Sequence, residues 1–431
     1  MRSLEALSTV ALLGGCASSP IDFNSDAGTA IATGGAGGSF AGSGGIFAAT
    51  GGTKAGATAG GAAQGGSATG GAATGGATTG AATGGAATGG ATTGAATGGQ
   101  PAGGGSAITG PCDIYAAASP ATLCVGAYST TRILRGAYSG ALYQVRKGGN
   151  ALGTGGTVQD IGVVAGTGFA DGAAQDTFCG TSTCTISLLY DQSGRGNDLK
   201  VAPAGCYTGT ASEPDYESNA KTKAVNISGH KVYALYMIPH DGYRNNTPSG
   251  MPTGSAAQGI YEVADGTRTG TAAGTACCWD FGNASTNNCN QGTMNALFFG
   301  TGYWGKGAGS GPWFLADLEG GVWAGGTGAS NVQNPNLPSS NVPFAFGILK
   351  TNSSNYAIRV GNAQSGSLTT GYDGGLPKTL NHPGGIILGI GGDNSNSSQG
   401  TFFEGAITAG QPSDATDALV FANVQAAKYG Q

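Results

Sequence analysis

The chain has 431 residues and a formal net charge of −5, and 10% of its residues are charged. It contains no block of Lys or Arg, which excludes an electrostatic footprint for nucleic acid. A polar but weakly charged composition of this kind is typical of a secreted protein that acts on a neutral ligand.

Residues 1–26 have the pattern of a lipoprotein signal. Arg2 is followed by a short apolar run that ends in Leu-Leu-Gly-Gly, directly before Cys16. Cleavage before Cys16 would free its thiol and a new amine for acyl chains, so the pattern predicts lipidation of Cys16 and a bacterial membrane anchor. Because Glu5 lies early in this short signal, an ordinary signal peptide with an incidental cysteine stays open as the alternative.

Residues 27–110 are almost entirely Gly, Ala, Thr and Ser. Between Asp26 and Asp113 the only charged residue is Lys54, and Gly-Gly-Ala-Ala-Thr repeats fill residues 50–99. No repeat carries an apolar face, so the segment cannot offset the entropy lost on ordering its backbone. We therefore expect a disordered linker with a reach of roughly 50 Å, followed by one folded domain over residues 111–431.

The nine cysteines point to an oxidising compartment. Setting Cys16 aside leaves an even number, which is consistent with disulfides. The chain has three histidines and no Cys-x-x-Cys pair, so we expect no structural zinc and no other metal. The eight remaining cysteines are Cys112, Cys124, Cys179, Cys184, Cys206, Cys277, Cys278 and Cys289.

Short strand-like segments recur throughout the expected domain. Each has four to six residues, is rich in β-branched or aromatic types, and most have turn formers close by. One late helix is predicted from Asp414 to Tyr429, capped by Ser413, with an apolar stripe of Leu419, Val420 and Val424. This pattern predicts an all-β sandwich or jelly roll. The predicted strands are Thr185–Tyr190, Lys231–Tyr236, Ala296–Phe299, Phe344–Leu349, Tyr356–Val360 and Gly385–Ile390.

Glutamate is scarce in this domain, so carboxyl pairs that could serve acid/base chemistry are few. Asp317 and Glu319 alternate along a strand-like segment, which would put both on one face. Asp393 follows an apolar run, in a Gly-Gly-Asp-Asn turn. An aspartate in a Gly-rich turn is more often a turn-forming hydrogen-bond acceptor, and that reading stays open. The five glutamates are Glu213, Glu217, Glu262, Glu319 and Glu404.

Several long phrases, in order from Gly110 to Tyr429, resemble glycoside hydrolase family 54. The resemblance implies a retaining α-L-arabinofuranosidase with a jelly-roll-like β-sandwich. Fungal members carry a further arabinose-binding module, and we expect this chain to contain the catalytic domain alone. The phrases are Gly110-Pro-Cys-Asp-Ile-Tyr115, Ser129-Thr-Thr-Arg132, Tyr143-Gln-Val-Arg146, Thr183-Cys-Thr-Ile186, Tyr190-Asp-Gln-Ser-Gly-Arg-Gly-Asn-Asp-Leu199, Tyr243-Arg-Asn-Asn246, Cys277-Cys278, Gly311-Pro-Trp313, Ala316-Asp-Leu-Glu319, Ile387-Leu-Gly-Ile-Gly-Gly-Asp-Asn-Ser-Asn396 and Pro412-Ser-Asp-Ala-Thr416.

The resemblance also implies roles for individual residues. Glu319 aligns with the family's nucleophile, Asp393 with its general acid/base, and Asp317 with an acid that binds sugar hydroxyls. Retaining glycosidases hold the two catalytic carboxyl groups roughly 5–5.5 Å apart. The family usually has Asn after the nucleophile, where this chain has Gly320. That departure puts sugar affinity in doubt, but not the reaction type.

Cysteine pairing and the rest of the sugar pocket follow from the same resemblance. It implies a vicinal disulfide between Cys277 and Cys278 as the floor beneath the arabinose, although each could instead pair with Cys206 or Cys289. It also implies the bridges Cys112–Cys124 and Cys179–Cys184, and it leaves the pairing of Cys206 with Cys289 open. Trp304 aligns with an aromatic residue that lines the pocket, and Gly392 would let the backbone approach the ligand.

The sequence therefore predicts an exo-acting enzyme that releases terminal arabinofuranosyl residues from arabinan or arabinoxylan. The alternatives are a catalytically inactive carbohydrate-binding lipoprotein and a β-D-xylosidase, because a shared fold does not fix the sugar. We expect no cofactor, no nucleic-acid partner, a monomeric chain, and membrane contact through the lipid anchor alone. The location would be secreted or on a bacterial cell surface.

Overall fold

A computed structural model describes residues 108–206, 209–270, 277–287, 289, 293–301 and 305–431. The signal with Cys16, the linker up to residue 107, and Trp304 lie outside the described residues. Within the described ranges, none of the helices is both long and apolar enough to cross a bilayer.

The described chain is mostly antiparallel β-sheet, and its strands, numbered in chain order, form two large sheets and a hairpin. The first sheet has seven strands, in the order β1-β19-β10-β15-β16-β17, with β8 pairing beside β19. Its members are β1 (Leu123–Ser129), β8 (Leu235–Met237), β10 (Gln258–Ala264), β15 (Ala345–Thr351), β16 (Asn355–Asn362), β17 (Ser365–Gly375) and β19 (Gly400–Ala409). The hairpin joins β6 (Ala224–Ile227) to β7 (His230–Tyr233).

The second sheet has ten strands, in the order β14-β13-β12-β11-β18-β9-β5-β4-β2-β3. Strands β13, β12 and β11, which follow the edge strand β14 in this order, are buried along their whole length. The members are β2 (Tyr143–Lys147), β3 (Thr157–Ile161), β4 (Cys184–Leu189), β5 (Leu199–Val201), β9 (Tyr243–Asn245), β11 (Asp280–Ala284), β12 (Met294–Gly300), β13 (Trp313–Leu318), β14 (Val322–Trp323) and β18 (Gly385–Leu388).

The main apolar core draws its residues from both sheets. Gly347 on β15 has no side chain, and a Cβ there would meet the ring of Phe314 on β13 at 2.3 Å. Phe314 stacks in turn on Phe299 of β12, with ring centroids 4.0 Å apart. This close aromatic contact joins one sheet to the other, so the predicted all-β sandwich is confirmed.

The predicted strands are present, with shifted ends. The interval Lys231–Tyr236 is divided between β7 and β8, and the strand predicted to reach Ile390 ends at Leu388. These boundaries depend on where the ladder partners stop, because β18 pairs β11 only as far as Leu388.

Three α-helices accompany the sheets in the described residues: α1 (Pro111–Ala117), α2 (Gly172–Cys179) and α3 (Asp414–Ala426). The sequence predicted only α3, whose cap is confirmed: Ser413 Oγ accepts from Thr416 N at 3.1 Å. The predicted apolar stripe is wrong at Leu419, which is 60% exposed. The buried face instead runs through Asp417, Val420, Phe421 and Val424.

A second, smaller apolar cluster involves three neighbouring strands of the ten-stranded sheet. It contains Ala284 of β11, Met294 and Ala296 of β12, and Ile387 of β18, together with Ala202 and Ile390 from adjacent loops. These residues pack around the point where the chain leaves β18 and enters the Gly391–Asn394 turn, so the cluster supports the segment that carries Asp393.

Candidate active site

Asp317 and Glu319 lie at the end of β13, although not both in the strand. The strand ends at Leu318, and Glu319 adopts a left-handed backbone with φ 47°. The prediction that strand alternation places both acids is therefore wrong for Glu319, because the chain has already begun to turn. Glu319 is held there by its own N–H, which donates to Met294 O at 3.1 Å.

The Glu319 carboxylate receives contacts from a loop that sequence reasoning did not connect with it. Its Oε1 accepts from Asn381 N at 2.8 Å, and Lys378 Nζ donates to the Glu319 carbonyl at 3.1 Å. Burial raises the pKa of Glu319, while the Asn381 N–H and the Lys378 charge act in the opposite direction. These two groups favour the ionised form of a half-buried carboxyl group.

Asp317 stands opposite Ala296 in the β12–β13 ladder and is 6% exposed. Its pKa is raised, first by burial and then by the negative charges of Asp393 and Glu319. The fold thus brings these three acids into one electrostatic neighbourhood, although Asp393 is distant in sequence.

Asp393 lies in the turn that follows β18. Its Oδ1 accepts from Ser395 N at 2.9 Å and from Ser395 Oγ at 2.6 Å, so the carboxylate does form the turn hydrogen bond expected of an Asp in this context. The same side chain is half-buried and close enough to raise the pKa of Asp317. The turn-forming contact and a chemical role are therefore compatible.

A buried polar network holds this turn from behind. Asn394 and Asn396 both donate to the carboxylate of Asp215, and Arg244 Nη1 donates to Gly392 O at 2.9 Å. Burial raises the pKa of Asp215 to about 7, with the Asn396 and Asn394 hydrogen bonds opposing that rise. Asp215 precedes Asn394 by 179 positions, so no local sequence pattern could have paired them.

Cys277 and Cys278 are joined by a disulfide, as the resemblance implies. Cys278 N donates to Ser395 O at 3.3 Å, and Ser397 N donates to Cys277 O at 3.1 Å. These contacts fasten the vicinal pair to the Asp393 turn. Cys278 is 4% exposed, and its Sγ lies within 4.8 Å of a carboxylate oxygen of Asp317.

The remaining cysteines of the described chain form three more bridges. Cys112–Cys124 ties α1 to β1, and Cys179–Cys184 ties α2 to β4, the two pairs implied by the resemblance. The structure also joins Cys206 to Cys289, which links two loops across 83 positions. Close to Cys206, a Cβ on Gly205 would meet Asp393 O at 2.7 Å, so this loop abuts the Asp393 turn.

Two glycines of the site, Gly392 and Gly320, have different surroundings. The space that a Cβ would take at Gly392 is filled by Met294, whose Cγ and Sδ lie 2.9 Å away. The missing side chain at Gly392 therefore gives Met294 room to pack, and the approach of a ligand to the Gly392 backbone stays a prediction. Gly320 has φ 83° and open space around its Cβ position, so this departure from the family leaves a gap beside Glu319.

Asp280 is a further acid at this place that sequence reasoning missed. It is the first residue of β11, directly after Cys278-Trp279, and it is fully buried. One of its carboxylate oxygens lies within 4.8 Å of both Asp317 and Cys278 Sγ. The only available signal was an Asp two residues beyond the vicinal cysteines, which by itself does not indicate a role.

Comparison with known proteins shows that the chain is similar to α-L-arabinofuranosidases. The family model "Alpha-L-arabinofuranosidase B, catalytic" matches residues 111–430. The α-L-arabinofuranosidase B of Aspergillus oryzae is 46% identical over 329 residues, covering 74% of this chain and 62% of the relative. A Trichoderma koningii protein named arabinofuranosidase/β-xylosidase is also 46% identical, covering 74% of this chain and 63% of its own length.

Solved structures agree with these matches. A crystal structure of an arabinofuranosidase complexed with arabinofuranosyl-α-1,2-xylobiose superposes with a TM-score of 0.68 at 43% identity, covering 75% of this chain and 66% of that one. A GH54 α-L-arabinofuranosidase soaked with a cyclic sulfate inhibitor gives the same TM-score and identity, covering 74% of this chain and 66% of its own. The chain thus spans somewhat less than two thirds of the length of these relatives.

Proposed function

The chain belongs to the family of α-L-arabinofuranosidase B catalytic domains, glycoside hydrolase family 54, and from that premise we propose that it is a retaining, exo-acting α-L-arabinofuranosidase. Its substrates would be terminal arabinofuranosyl residues of plant arabinan or arabinoxylan. The observation that carries the proposal is the meeting of Asp317, Glu319 and Asp393 beside the Cys277–Cys278 disulfide.

The proposed reaction uses two carboxyl groups in two steps. Glu319 attacks the anomeric carbon as Asp393 gives its proton to the departing glycosidic oxygen, which forms an arabinosyl-enzyme ester. Asp393 then takes a proton from a water molecule as the water oxygen attacks the anomeric carbon and releases Glu319. The water attacks from the face of the sugar on which the leaving group stood. Two displacements at one carbon leave its configuration unchanged.

The contacts of each acid support this division of roles. Glu319 has a backbone N–H donor and Lys378 nearby, which favour the anion that a nucleophile must be. Asp317 and the vicinal disulfide Cys277–Cys278 would bind the sugar, with Asp317 accepting from its hydroxyls. Trp304 and the backbone at Gly392 complete the proposed set of sugar-binding residues.

The first experiment compares an aryl α-L-arabinofuranoside with the corresponding β-D-xyloside, since one relative is named for both activities. We expect the arabinofuranoside to be the better substrate, and NMR to show that the first-formed arabinose keeps the α configuration. An inverted product contradicts the mechanism, and a preference for the xyloside indicates the xylosidase alternative. Binding to arabinan without any turnover indicates the carbohydrate-binding alternative.

Replacing Asp393 separates acid catalysis from nucleophilic attack. Asp393→Ala should lose about 10²–10⁴-fold in kcat on substrates with poor leaving groups, the usual contribution of general acid/base catalysis. Activated aryl substrates hardly need a proton at the departing oxygen, so their glycosylation step should be slowed much less. An equal loss on both kinds of substrate contradicts the assignment of Asp393.

For location, we propose a secreted or cell-surface protein in which residues 1–26 form the signal and N-terminus and residues 27–110 form a flexible linker. Domain 111–431 would then stand clear of a bacterial membrane to which lipidated Cys16 is anchored. Cys16→Ser should move the protein from the membrane fraction to the soluble fraction. Identical fractionation of both forms contradicts the lipid anchor.

A further inference from the structure

Asp280 is a buried carboxyl group without a role in the proposed reaction. It has no exposed surface, and in the part of the chain that the structure describes no N–H or O–H group donates a hydrogen bond to either of its carboxylate oxygens. An isolated carboxylate pays a large desolvation cost in such a place, and a neutral carboxyl group pays far less. The surroundings of Asp280 therefore favour its protonated form.

The sheet register explains why Asp280 meets Asp317. Ala296 on β12 stands opposite Asp317 of β13, and Phe298, two residues further along, stands opposite Asp280 of β11. Strand alternation then puts both acids on the same face, two strands apart. Between them Ala296 contributes only a methyl group, which lets one oxygen of each acid come within 4.8 Å of the other.

The charges facing this pair are negative. After burial, the pKa of Asp280 is raised by Asp317 of β13, by Asp393 beyond β18, and by Glu262 of β10. Asp393 and Glu319 act in the same direction on Asp317. Among the ion pairs of the described residues, none involves Asp280 or Asp317. This placement disfavours the state in which both carboxyl groups are ionised.

We propose that Asp280 and Asp317 share one proton, which Asp280 carries, and that Asp280 donates it as a hydrogen bond to Asp317. Asp280 is 0% exposed and Asp317 is 6% exposed, so the more buried acid remains neutral. Asp280 is then a positioning residue, because its hydrogen bond opposes the burial and the negative charges that raise the pKa of Asp317 and holds Asp317 as the anion that accepts from the sugar hydroxyls. This inference rests on the proposed function, because that function is what requires Asp317 to be an acceptor.

The test measures sugar affinity against pH in a background without turnover. Glu319→Gln serves as the parent, and binding of methyl α-L-arabinofuranoside is followed by calorimetry from pH 5 to pH 9, with and without EDTA. Asp280→Asn keeps a donor that cannot ionise, whereas Asp280→Ala removes the donor. Glu262→Gln is the matched control, because Glu262 is equally buried but bonds to Trp279 Nε1 at 2.9 Å.

In the parent, affinity should fall about tenfold per pH unit once the pair loses its shared proton. Asp280→Asn should bind within about threefold of the parent at pH 5 and lose that dependence. Asp280→Ala should bind at least about tenfold more weakly over the whole pH range, because losing a hydrogen bond to a charged group weakens binding by about this factor. The Glu262→Gln control should retain the fall of affinity with rising pH, with its onset moved to lower pH because Glu262 no longer raises the pKa of Asp280.

Several results would overturn the proposal that Asp280 and Asp317 share a proton. They are an unchanged pH dependence in Asp280→Asn, undiminished affinity in Asp280→Ala, and an affinity that EDTA abolishes, which would assign the charge balance to a bound cation. If the parent binds no arabinofuranoside at all, the proposed function fails, and thermal unfolding from pH 6.5 to pH 9 decides the inference. The loss of stability over that range should be smaller in Asp280→Asn, and an equal loss refutes the pair.

Discussion

Glu404 in the seven-stranded sheet and Asp280 in the ten-stranded sheet are both fully buried acids with opposite surroundings. Arg132 contacts both oxygens of Glu404, through Nε at 2.5 Å and Nη2 at 2.7 Å, while Tyr429 and Tyr261 add hydroxyl donors at 2.6 Å and 3.1 Å. Asp280 has no such donor in the described chain and faces other acids. A buried acid with all its hydrogen bonds made stabilises the fold, whereas a buried acid without a donor is a candidate for binding a ligand or a proton.

The largest expected effect is a loss of turnover, and it comes from replacing Glu319. Glu319→Ala removes the proposed nucleophile and should lower kcat about ten-thousandfold, or about 5.5 kcal/mol in activation free energy. Its free energy of unfolding should change little, because Glu319 is half-buried at the end of β13 and does not belong to the apolar core. Steady-state kinetics and urea unfolding measure the two quantities separately.

Exposed Glu213 provides the matched control for this variant, and Glu213→Ala should keep full activity. Added azide should rescue Glu319→Ala and give a glycosyl azide of inverted configuration. Near wild-type turnover in Glu319→Ala would remove the nucleophile assignment and, with it, the contrast between the two sheets.

Removing the cation that pairs with Glu404 should have the reverse result, a loss of stability without a loss of activity. Arg132→Met leaves Glu404 buried without its cation and should cost about 3–5 kcal/mol of unfolding free energy. Activity per folded molecule should be preserved, since Arg132 follows β1 and binds Glu404 of the seven-stranded sheet. The control is Lys231→Met, which breaks an exposed ion pair with Asp176 and should cost less than about 1 kcal/mol. Equal costs in urea unfolding would contradict the comparison.

The sequence predicted what depends on local pattern and on long matched phrases. It located the strands, the final helix, and the segments that carry Asp317, Glu319 and Asp393. It missed Asp280, Asp215 and the Lys378–Asn381 loop, because their partners are set by sheet register and by loop packing over long separations. Asp280 lies near Asp317, Asn381 is 62 positions from Glu319, and Asn396 is 181 positions from Asp215. The prediction that Leu419 is buried failed for a related reason. Helix periodicity indicates an apolar side, but only tertiary packing decides which residues at the edge of that side stay exposed.

The pH dependence of stability extends the comparison to a third buried acid. Burial raises the pKa of Glu262 to about 8, with the Trp279 N–H opposing the rise. Because this pKa lies above the unfolded value, the folded state binds more protons, and stability falls as pH rises towards 8. Burial lowers the pKa of His382 to about 4, so His382 makes stability rise with pH. That rise is complete once the pH exceeds the pKa of His382 in the unfolded chain. The free energy of unfolding should therefore decrease from pH 6.5 to pH 8.

Glu262→Gln should reduce this decrease, since the amide cannot ionise but can still accept from Trp279. Urea unfolding at both pH values measures the change. The paired acid Glu404 gives the control, because Glu404→Gln should lower stability at both pH values without changing the difference between them. If Glu262→Gln leaves the difference intact, Glu262 is not the group that titrates.

The smallest expected effect concerns the gap at Gly320. This residue has φ 83° beside Glu319 at φ 47°, and nothing lies within 4 Å of its Cβ position. Asn tolerates a left-handed backbone better than most residues, so Gly320→Asn should fold with little loss of stability. Its amide would enter the open space next to the nucleophile and supply the sugar contact that the resemblance leads us to expect there. One hydrogen bond is worth about 0.5–1.5 kcal/mol, so KM should fall by up to about tenfold with kcat nearly unchanged.

Gly320→Ala adds the same backbone strain without the amide and should not improve KM. Equal KM values for the Asn and Ala variants would mean that the gap lies outside the reach of the sugar.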